Sequence, residues 1–282
     1  MAMRLLVASI PDIASMNLKD RLLEAGGWTD GGRYQGRPVL FREDVCMMVT
    51  EGLHLHLDDI DRHVHEETGI AVDEVVFLSK HRAASGTPTL TVHPIGNYGK
   101  ADYGGKEGTL VPSSPSFLSG MLREISRTAK GLPFQVSYEV THHGPYLETP
   151  SSFVEIGSEE STWGDRAAAE ALTRALLNYR PSTGPVVVGI GGGHYAPRFS
   201  EVTLVKDVSF GHMLPKHVLE ANDEDGALRC IRTAMEASGT DAAYLHKKSF
   251  SKPDARRYRE MIEGAGYKVM ESDDLKDIQS LS

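Results

Sequence analysis

Cysteine is scarce in this chain, with two residues among 282. Cys46 and Cys230 lie far apart in the sequence, and neither belongs to a CxxC pair. Such usage argues against a disulfide framework and predicts a reducing cytoplasm as the compartment.

Long hydrophobic runs are also missing. The apolar stretch 5–10 stops at Pro11, too early for a signal sequence or a membrane span, and no later run reaches spanning length. We therefore expect no contact with a membrane. With 40% hydrophobic and 24% charged residues, the composition suits a globular protein of one large domain or two smaller ones.

Several catalytic signatures are absent as well. Serine-nucleophile chemistry is not supported because no GxSxG elbow occurs, and the spacing of His212 and His217 does not match the HExxH zinc motif. The glycines near residue 191 match neither GxGxxG nor the Walker A spacing. The function must therefore be sought in other clusters of polar residues.

Positive charge is in deficit, since the formal net charge is -9. This balance argues against a protein that coats nucleic acid, and DNA is not an expected partner. Residues 246–259 nevertheless form a local basic segment interleaved with Phe250 and Tyr258. Its candidates for phosphate contact are Lys247, Lys248, Arg256 and Arg257. A solvated helix face would explain the same pattern.

The densest polar cluster lies at residues 139–160, EVTHHGPYLETPSSFVEIGSEE. Imidazoles and carboxylates without cysteine are a ligand set for divalent cations such as zinc. The segment therefore predicts a metal site, in which the adjacent His142 and His143 are accompanied by Glu139, Glu155 and Glu159. The alternative is that one histidine merely satisfies a buried carbonyl group.

The chemistry of this cluster depends on where its strand ends. Residues 134–141 alternate apolar and polar side chains, which predicts a strand. Consecutive strand residues point to opposite faces, so two adjacent histidines within it could not share one ion. Because Gly144 and Pro145 end the strand, His143 can swing into a turn, and the pair can serve one ion or two close ions.

A second candidate site is the segment GIGGGHY at residues 189–195. An apolar run ends there in Gly191, Gly192 and Gly193, which are followed by His194. Glycine has no Cβ atom, so these N–H groups can turn toward a phosphate, a carboxylate or an oxyanion. Close packing is the other explanation, but the adjacent histidine favours a role in the site.

Apolar runs alternate with helical patterns along the chain. Strands are predicted at 5–10, 45–50, 74–78, 89–93, 134–141, 153–156, 185–190 and 242–245, and helices at 16–25, 117–130, 163–179, 223–237 and 253–264. Near-continuous Val/Ile strands between helices predict a sheet buried on both faces. Thr162 is the expected N-cap of the helix at 163, and the glycine-rich stretch 96–108 is expected to be a long mobile loop.

Histidine and lysine collect at the ends of the predicted strands. In an open α/β sheet, ligands bind beyond the carboxyl ends of the strands. Lys80 and His81 follow one strand and His93 closes another, so we expect them beside the metal site. Other histidines have simpler explanations: His54 and His56 alternate on a strand face as surface or core residues, and His63 and His65 lie on a helix surface.

Four segments together resemble the archaeal and plant-type zinc-dependent D-aminoacyl-tRNA deacylases. They are LSKHRAASGTPTLTVHPIGNYGKADYGGKEGTL, EVTHHGPYLETPSSFVEIGSEESTWGD, GIGGGHYAPRFSEV and GHMLPKH. The resemblance implies one domain over residues 1–282, with a three-layer α/β/α fold and a mixed, mostly parallel sheet related to phosphorylases and peptidyl-tRNA hydrolases. It also implies a cytoplasmic proofreading enzyme, expected to be monomeric, that hydrolyses D-aminoacyl-tRNA.

Ester hydrolysis needs a nucleophilic water and a stabilised oxyanion, and a metal ion supplies the first by lowering the pKa of bound water. The expected ligands of one or two zinc ions, with two favoured, are His142, His143, His194 and Glu155. The expected catalytic residues are Glu155, Glu139, Lys80 and His81, with Glu159 in reserve. Substrate contacts are expected from Gly191, Gly192, Gly193 and His93 near the ester, and from Lys247, Lys248, Arg256 and Arg257 along the tRNA.

Two other functions are compatible with the sequence. A zinc aminopeptidase or amidohydrolase on a related fold would act on a small peptide and ignore tRNA. A non-catalytic protein that binds tRNA or a nucleoside would use its histidines structurally, and its binding would survive chelation.

Overall fold

The computed structural model of the chain describes residues 3–278. Its strands are β1 (Arg4–Ser9), β2 (Thr29–Tyr34), β3 (Arg37–Arg42), β4 (Val45–Thr50), β5 (Glu74–Lys80), β6 (Thr89–Pro94), β7 (Gln135–Tyr138), β8 (Ser151–Gly157), β9 (Val186–Ile190), β10 (Ser209–Leu214), β11 (Ala242–Leu245) and β12 (Lys268–Met270). Its helices are α1 (Ile13–Glu24), α2 (Ile60–Thr68), α3 (Pro115–Thr128), α4 (Glu160–Trp163), α5 (Arg166–Asn178), α6 (Pro197–Val205), α7 (Lys216–Glu220), α8 (Glu224–Ser238) and α9 (Lys252–Gly264).

Eight strands form a mixed sheet in the order β2-β3-β4-β1-β5-β8-β6-β7. The pairs β1–β4, β1–β5, β5–β8 and β6–β7 are parallel, and the other three pairs are antiparallel. Alternate residues of the central strands face opposite sides. Leu6 and Val76 pack in one core with α1, α3 and α5, and Phe77 packs in another with α2. Helices on both faces confirm the predicted mixed, mostly parallel α/β fold.

The remaining four strands form a separate parallel sheet in the order β10-β9-β11-β12. This second sheet is an addition to the single sheet that the sequence predicts. β10 is absent from the predicted strands because its sequence, SFGHML, carries glycine and histidine, although all six residues are buried. The β2–β3 hairpin is missed because TDGGRY shows no apolar alternation.

The two sheets meet along the chain that follows β7. The amide of Glu139 donates to the carbonyl of Val92 in β6, whereas the amide of Val140 donates to the carbonyl of His194, after β9. The next amide, of Thr141, donates to Met213 in β10. This short segment is therefore bound to both sheets, and it leads directly into His142 and His143.

Two predictions about the region after β8 are wrong. The N-cap of α5 is Asp165, whose carboxylate accepts a hydrogen bond from the amide of Ala168 at 2.8 Å. Thr162 instead belongs to the short helix α4, where it closes a capping box with Glu159. Glu159 is exposed and caps a helix, so it is not a reserve carboxylate of the metal site.

Other segments also differ from the predictions. His54 and His56 lie in a 3-10 turn and not on a strand, although the buried His54 does pack in the core against Phe77 and Phe153. The stretch 96–108 is fixed at its start and near its middle: the amide of Gly96 donates to the carbonyl of His143, and the amide of Gly144 donates to the carbonyl of Tyr103. No helix within residues 3–278 is long and apolar enough to cross a membrane.

Candidate metal centre

The polar residues singled out in the sequence converge at the junction of the two sheets. His81 follows β5, His93 lies near the end of β6, and Glu155 lies within β8. Glu139, His142 and His143 come from the segment after β7, and His194 comes from the turn after β9. Residues that are remote in sequence meet here because the pairing of β5, β8 and β6 places their strands side by side.

Three imidazoles surround the carboxylate of Glu139. Its Oε2 lies 2.9 Å from Nε2 of His194, 3.1 Å from Nδ1 of His81 and 3.5 Å from Nε2 of His142. Glu139 is fully buried, yet neither oxygen has a partner in acceptable hydrogen-bond geometry, despite the short approach of His194. The carboxylate is therefore surrounded by nitrogen atoms without being satisfied by them.

Glu155 and His93 form the other half of the centre. In the sheet Glu155 lies beside Ser79 of β5 and Thr91 of β6. Its Oε2 is 3.5 Å from Nε2 of His93 and 3.6 Å from Nδ1 of His81. Both Oε2 of Glu155 and Nε2 of His93 are buried without a hydrogen-bond partner.

Hydrogen bonds on the outer nitrogens orient the imidazoles. Nδ1 of His93, His142 and His143 lies 3.1, 2.7 and 2.7 Å, respectively, from a backbone carbonyl oxygen one or two residues away. Because a carbonyl oxygen only accepts, Nδ1 carries a proton in each of these rings, which leaves Nε2 as the nitrogen that can face a metal ion. Metal-binding histidines are commonly held in this way.

The adjacent histidines adopt the arrangement that the Gly144-Pro145 break made possible. His143 has a φ of 46°, in the left-handed region, so the chain turns between the two residues. The ring centroids of His142 and His143 are 4.3 Å apart, and His93 stacks 4.3 Å from His142. Three imidazoles thus face one point.

Three overlapping groups of side chains have ligand atoms that lie within 4.8 Å of one another: His93–His142–His143, His81–Glu139–His194 and His93–Glu139–Glu155. The first two groups share no residue, so two separate sets of three candidate ligands lie side by side. The four predicted ligands are distributed over different groups. His93, expected at the substrate, and His81 and Glu139, expected in catalysis, occupy ligand positions beside them.

The donor set fits zinc. Buried polar atoms without partners are costly, and here four of them point into the centre: both oxygens of Glu139, Oε2 of Glu155 and Nε2 of His93. A divalent cation would satisfy these atoms together. Neutral imidazoles and carboxylates are ordinary zinc ligands, whereas calcium and magnesium prefer oxygen ligands alone.

The pKa shifts agree with a cation site. Burial and the neighbouring His93 hold the pKa of His142 well below its usual value and lower that of His143 to about 3, so both rings are neutral at pH 7. Burial alone would raise the pKa of Glu155, but His81 and His93 bring it well below its usual value. Burial and the neighbouring Glu155 tend to raise the pKa of Glu139, but His194, His93 and His142 together lower it below its usual value.

Three aromatic residues outside the predicted ligand and catalytic sets surround the site. Phe153 stacks on His93 with ring centroids 5.2 Å apart and forms an apolar floor. Oη of Tyr195 lies 3.1 Å from Nε2 of His81, and the indole of Trp163 donates to the backbone carbonyl of His81 at 2.9 Å. Only the position of Tyr195, directly after His194, was a signal in the sequence.

The glycine turn differs in detail from its predicted role. Gly191 has a φ of 105°, and a Cβ atom there would lie 2.4 Å from Oγ of Ser249, so glycine is needed for close packing. Its amide already donates to the carbonyl of Leu214 at 2.8 Å and is not free for substrate. Among the three glycines, the amides that remain for an anion are those of Gly192 and Gly193.

Lys80 and the basic segment lie outside the metal-ligand groups. Nζ of Lys80 is 4.9 Å from the centre of the Trp163 ring. A groove of about 550 Å³ is lined by Lys247, Lys248, Phe250, Lys252, Ala255, Arg256 and Arg259. Arg257 is not part of this lining and stacks on Tyr258 instead.

Comparison with known proteins identifies the family. A family model described as D-aminoacyl-tRNA deacylase matches residues 68–270, a range that contains every candidate ligand. The chain belongs to the D-aminoacyl-tRNA deacylase family. The resemblance noted in the sequence is thereby confirmed.

Members of this family from two archaea show the extent of the likeness. A D-aminoacyl-tRNA deacylase of Methanococcoides burtonii is 38% identical over 283 residues, which cover 98% of this chain but 58% of the relative. One from Thermococcus kodakarensis is 38% identical and covers 90% of this chain and 94% of its own length. The crystal structure of a conserved protein of unknown function aligns with a TM-score of 0.86 at 30% identity, covering 98% of this chain and 99% of that one.

Proposed function

We propose that the chain hydrolyses the ester bond of D-aminoacyl-tRNA to free D-amino acid and intact tRNA, in the cytoplasm. The observation that carries the proposal is the centre of five imidazoles around two buried carboxylates, with unsatisfied atoms facing inward, in a member of the deacylase family. Such a centre suits hydrolysis, and family membership supplies the substrate class.

Zinc is the proposed cofactor, with two ions per chain. One would be held by His93, His142 and His143, and the other by His81, Glu139 and His194, with Glu155 between them. Zinc supplies, when bound, polarisation of a carbonyl oxygen and acidification of water near neutral pH.

The protein groups supply proton transfer and a dry, fixed environment. Glu139 and Glu155 both have lowered pKa values, so both are ionised at pH 7, and whichever is not bound to zinc can accept a proton from the attacking water. Phe153 closes the inner side of the centre against solvent. The proposed donors to an oxyanion or the terminal phosphate are the amides of Gly192 and Gly193, and Lys80 is the proposed contact on the ribose side.

The basic groove is the proposed path of the tRNA. Its segment packs directly on the glycine turn, since Ser249 and Phe250 occupy the space that a side chain at Gly191 would need. Phosphates bound by Lys247, Lys248 and Arg256 would therefore continue toward His194. Part of this charge is already neutralised, because Lys247 pairs with Glu271 at 2.5 Å and Arg256 with Glu260 at 2.8 Å.

Steady-state kinetics on matched D- and L-aminoacyl-tRNA tests the proposal. We expect zinc-dependent release of the D-amino acid, loss of turnover on chelation, recovery when zinc is restored, and a much lower kcat/KM for the L-enantiomer. Equal kcat/KM for the two enantiomers would contradict a proofreading role.

Two further substrates separate the alternatives. A D-aminoacyl peptide of the same residue should be a poor substrate, and efficient cleavage that is indifferent to added tRNA would favour an aminopeptidase. Binding of tRNA that survives chelation, without turnover of any ester, would favour a non-catalytic protein.

A further inference from the structure

Tyr103 is an exposed aromatic residue beside the metal centre. Its side chain is 68% exposed, more than any other large hydrophobic side chain within residues 3–278. Its backbone carbonyl accepts a hydrogen bond at 3.1 Å from the amide of Gly144, the residue that follows His143. An exposed aromatic residue is thus bound, through its backbone carbonyl, to the residue that follows a proposed zinc ligand.

The backbone around Tyr103 is held in place by glycines. Gly104 has a φ of 78°, and a Cβ atom there would lie 1.7 Å from the carbonyl oxygen of Leu55. A Cβ atom on Gly144 would lie 2.2 Å from the amide nitrogen of Gly105. These contacts are possible only without side chains, so residues 103–105 pack closely against Gly144, the residue that follows His143.

A side-chain amide strengthens the same arrangement. Nδ2 of Asn97 is buried in the loop and donates to the carbonyl of Gly104 at 2.9 Å. Tyr103 is therefore presented from a fixed backbone and not from a free loop.

We propose that Tyr103 is a stacking platform for the base of the terminal nucleotide of the tRNA, the nucleotide that carries the ester. The inference rests on the proposed function. Bases at single-stranded RNA ends are commonly bound by stacking on aromatic side chains. When the ester carbonyl lies at the metal centre, the base on the same ribose lies within one nucleotide of it, and the backbone of Tyr103 is bound to the residue after His143.

The base is a better occupant than the amino-acid side chain. Every charged tRNA presents the same terminal base, whereas the side chain changes from one amino acid to the next. A flat aromatic surface on a fixed backbone suits a constant planar group. Stacking here would anchor the ribose and so set the direction from which the ester approaches the zinc ligands.

The experiment compares Tyr103→Ala with Tyr103→Phe, which keeps the ring, on two substrates. One is a D-aminoacyl-tRNA, and the other is the methyl ester of the same D-amino acid, which has no base. For the alanine variant we expect kcat/KM on the tRNA substrate to fall by about 5- to 150-fold, the range for one lost base–aromatic stack. The phenylalanine variant should stay near wild type, and the methyl ester should be hydrolysed equally by all three proteins.

Two results would overturn the proposal that Tyr103 stacks on the terminal base. One is an alanine variant that equals wild type on the tRNA substrate. The other is an equal loss on the methyl ester, which would place Tyr103 against the aminoacyl group or in the structure of the loop. Thermal unfolding of each variant checks that the fold is retained.

A binding measurement keeps the inference separate from the proposed function. A short RNA that ends in the tRNA acceptor sequence is titrated against the zinc-loaded protein, beside the same RNA with an abasic terminal ribose. Tyr103→Ala should weaken the first interaction to the level of the second. If the wild-type protein binds both RNAs equally, the stacking proposal is wrong. If it binds the RNA with the terminal base more tightly than the abasic RNA but hydrolyses no D-aminoacyl-tRNA, only the proposed activity fails.

Discussion

The phenol oxygen of Tyr195 lies 3.1 Å from Nε2 of His81, and Nδ1 of the same ring lies 3.1 Å from Glu139. His93, His142 and His143 are oriented by backbone carbonyls, but His81 is oriented by a side chain. A single substitution can therefore release His81 without disturbing the backbone.

Tyr195→Phe should weaken zinc binding by about 10- to 100-fold, the usual effect of removing a group that orients a metal ligand. The ring remains, so the fold should be unaffected. Zinc affinity measured by competition with a chromophoric chelator tests this expectation. Tyr267→Phe is the matched control, because Tyr267 packs on the core of the small sheet, away from the centre. Equal affinity in both variants would show that Tyr195 has no part in the site.

His143→Ala and His194→Ala should each reduce the zinc content by about one ion, because these residues belong to different ligand groups. Each should also abolish most of the esterase activity. Elemental analysis after dialysis gives the stoichiometry. Loss of both ions from either variant would indicate strongly coupled sites, and full zinc content in both would remove these residues from the ligand set.

Zinc affinity should increase with pH. In the metal-free protein, burial tends to lower the pKa of His81 and His93, but their contacts with Glu155 raise it above the usual value. Zinc requires unprotonated nitrogen, so its binding must displace these protons and becomes easier as the pH rises through the raised pKa values. Calorimetric titration in two buffers of different ionisation enthalpy measures the protons released. A pH-independent affinity with no proton release would contradict the expectation.

Lys248→Ala and Lys252→Ala should flatten the dependence of log K on log salt for tRNA binding by somewhat less than one unit each. Both residues line the basic groove, are exposed and make no ion pair among residues 3–278. Saturated turnover should hardly change, because the groove contains no zinc ligand. Arg257→Ala is the control, since Arg257 lies outside the groove lining and contacts Asp254. An equal effect of Arg257→Ala would widen the interface beyond the groove.

Much of the fold follows from local patterns. The strand at 45–50 and the strand at 242–245 have the bounds that their apolar runs predict. The hairpin β2–β3 and strand β10 could not be predicted in this way, because pairing with a neighbouring strand stabilises them and their own residues show no strand pattern.

Glu159 shows that local sequence patterns are also limited in predicting which residues belong to the site. By spacing alone it belongs with Glu155, only four residues earlier. The strand that carries Glu155 has ended by then, and Glu159 caps the following helix at the surface. Proximity in sequence is thus a poor guide to membership of a site once a secondary-structure boundary intervenes.

The sequence by itself determined the candidate chemistry of this protein: histidine and glutamate side chains without cysteine, their placement near strand ends, and the motifs that identify the family. Only the tertiary structure decided which of these candidate ligands lie together. That grouping depends on strand order and on the contact of the segment after β7 with both sheets, and these are long-range pairings that no local pattern encodes. His93 and His81 enter the ligand groups for this reason, since β8 places Glu155 between the strands that carry them.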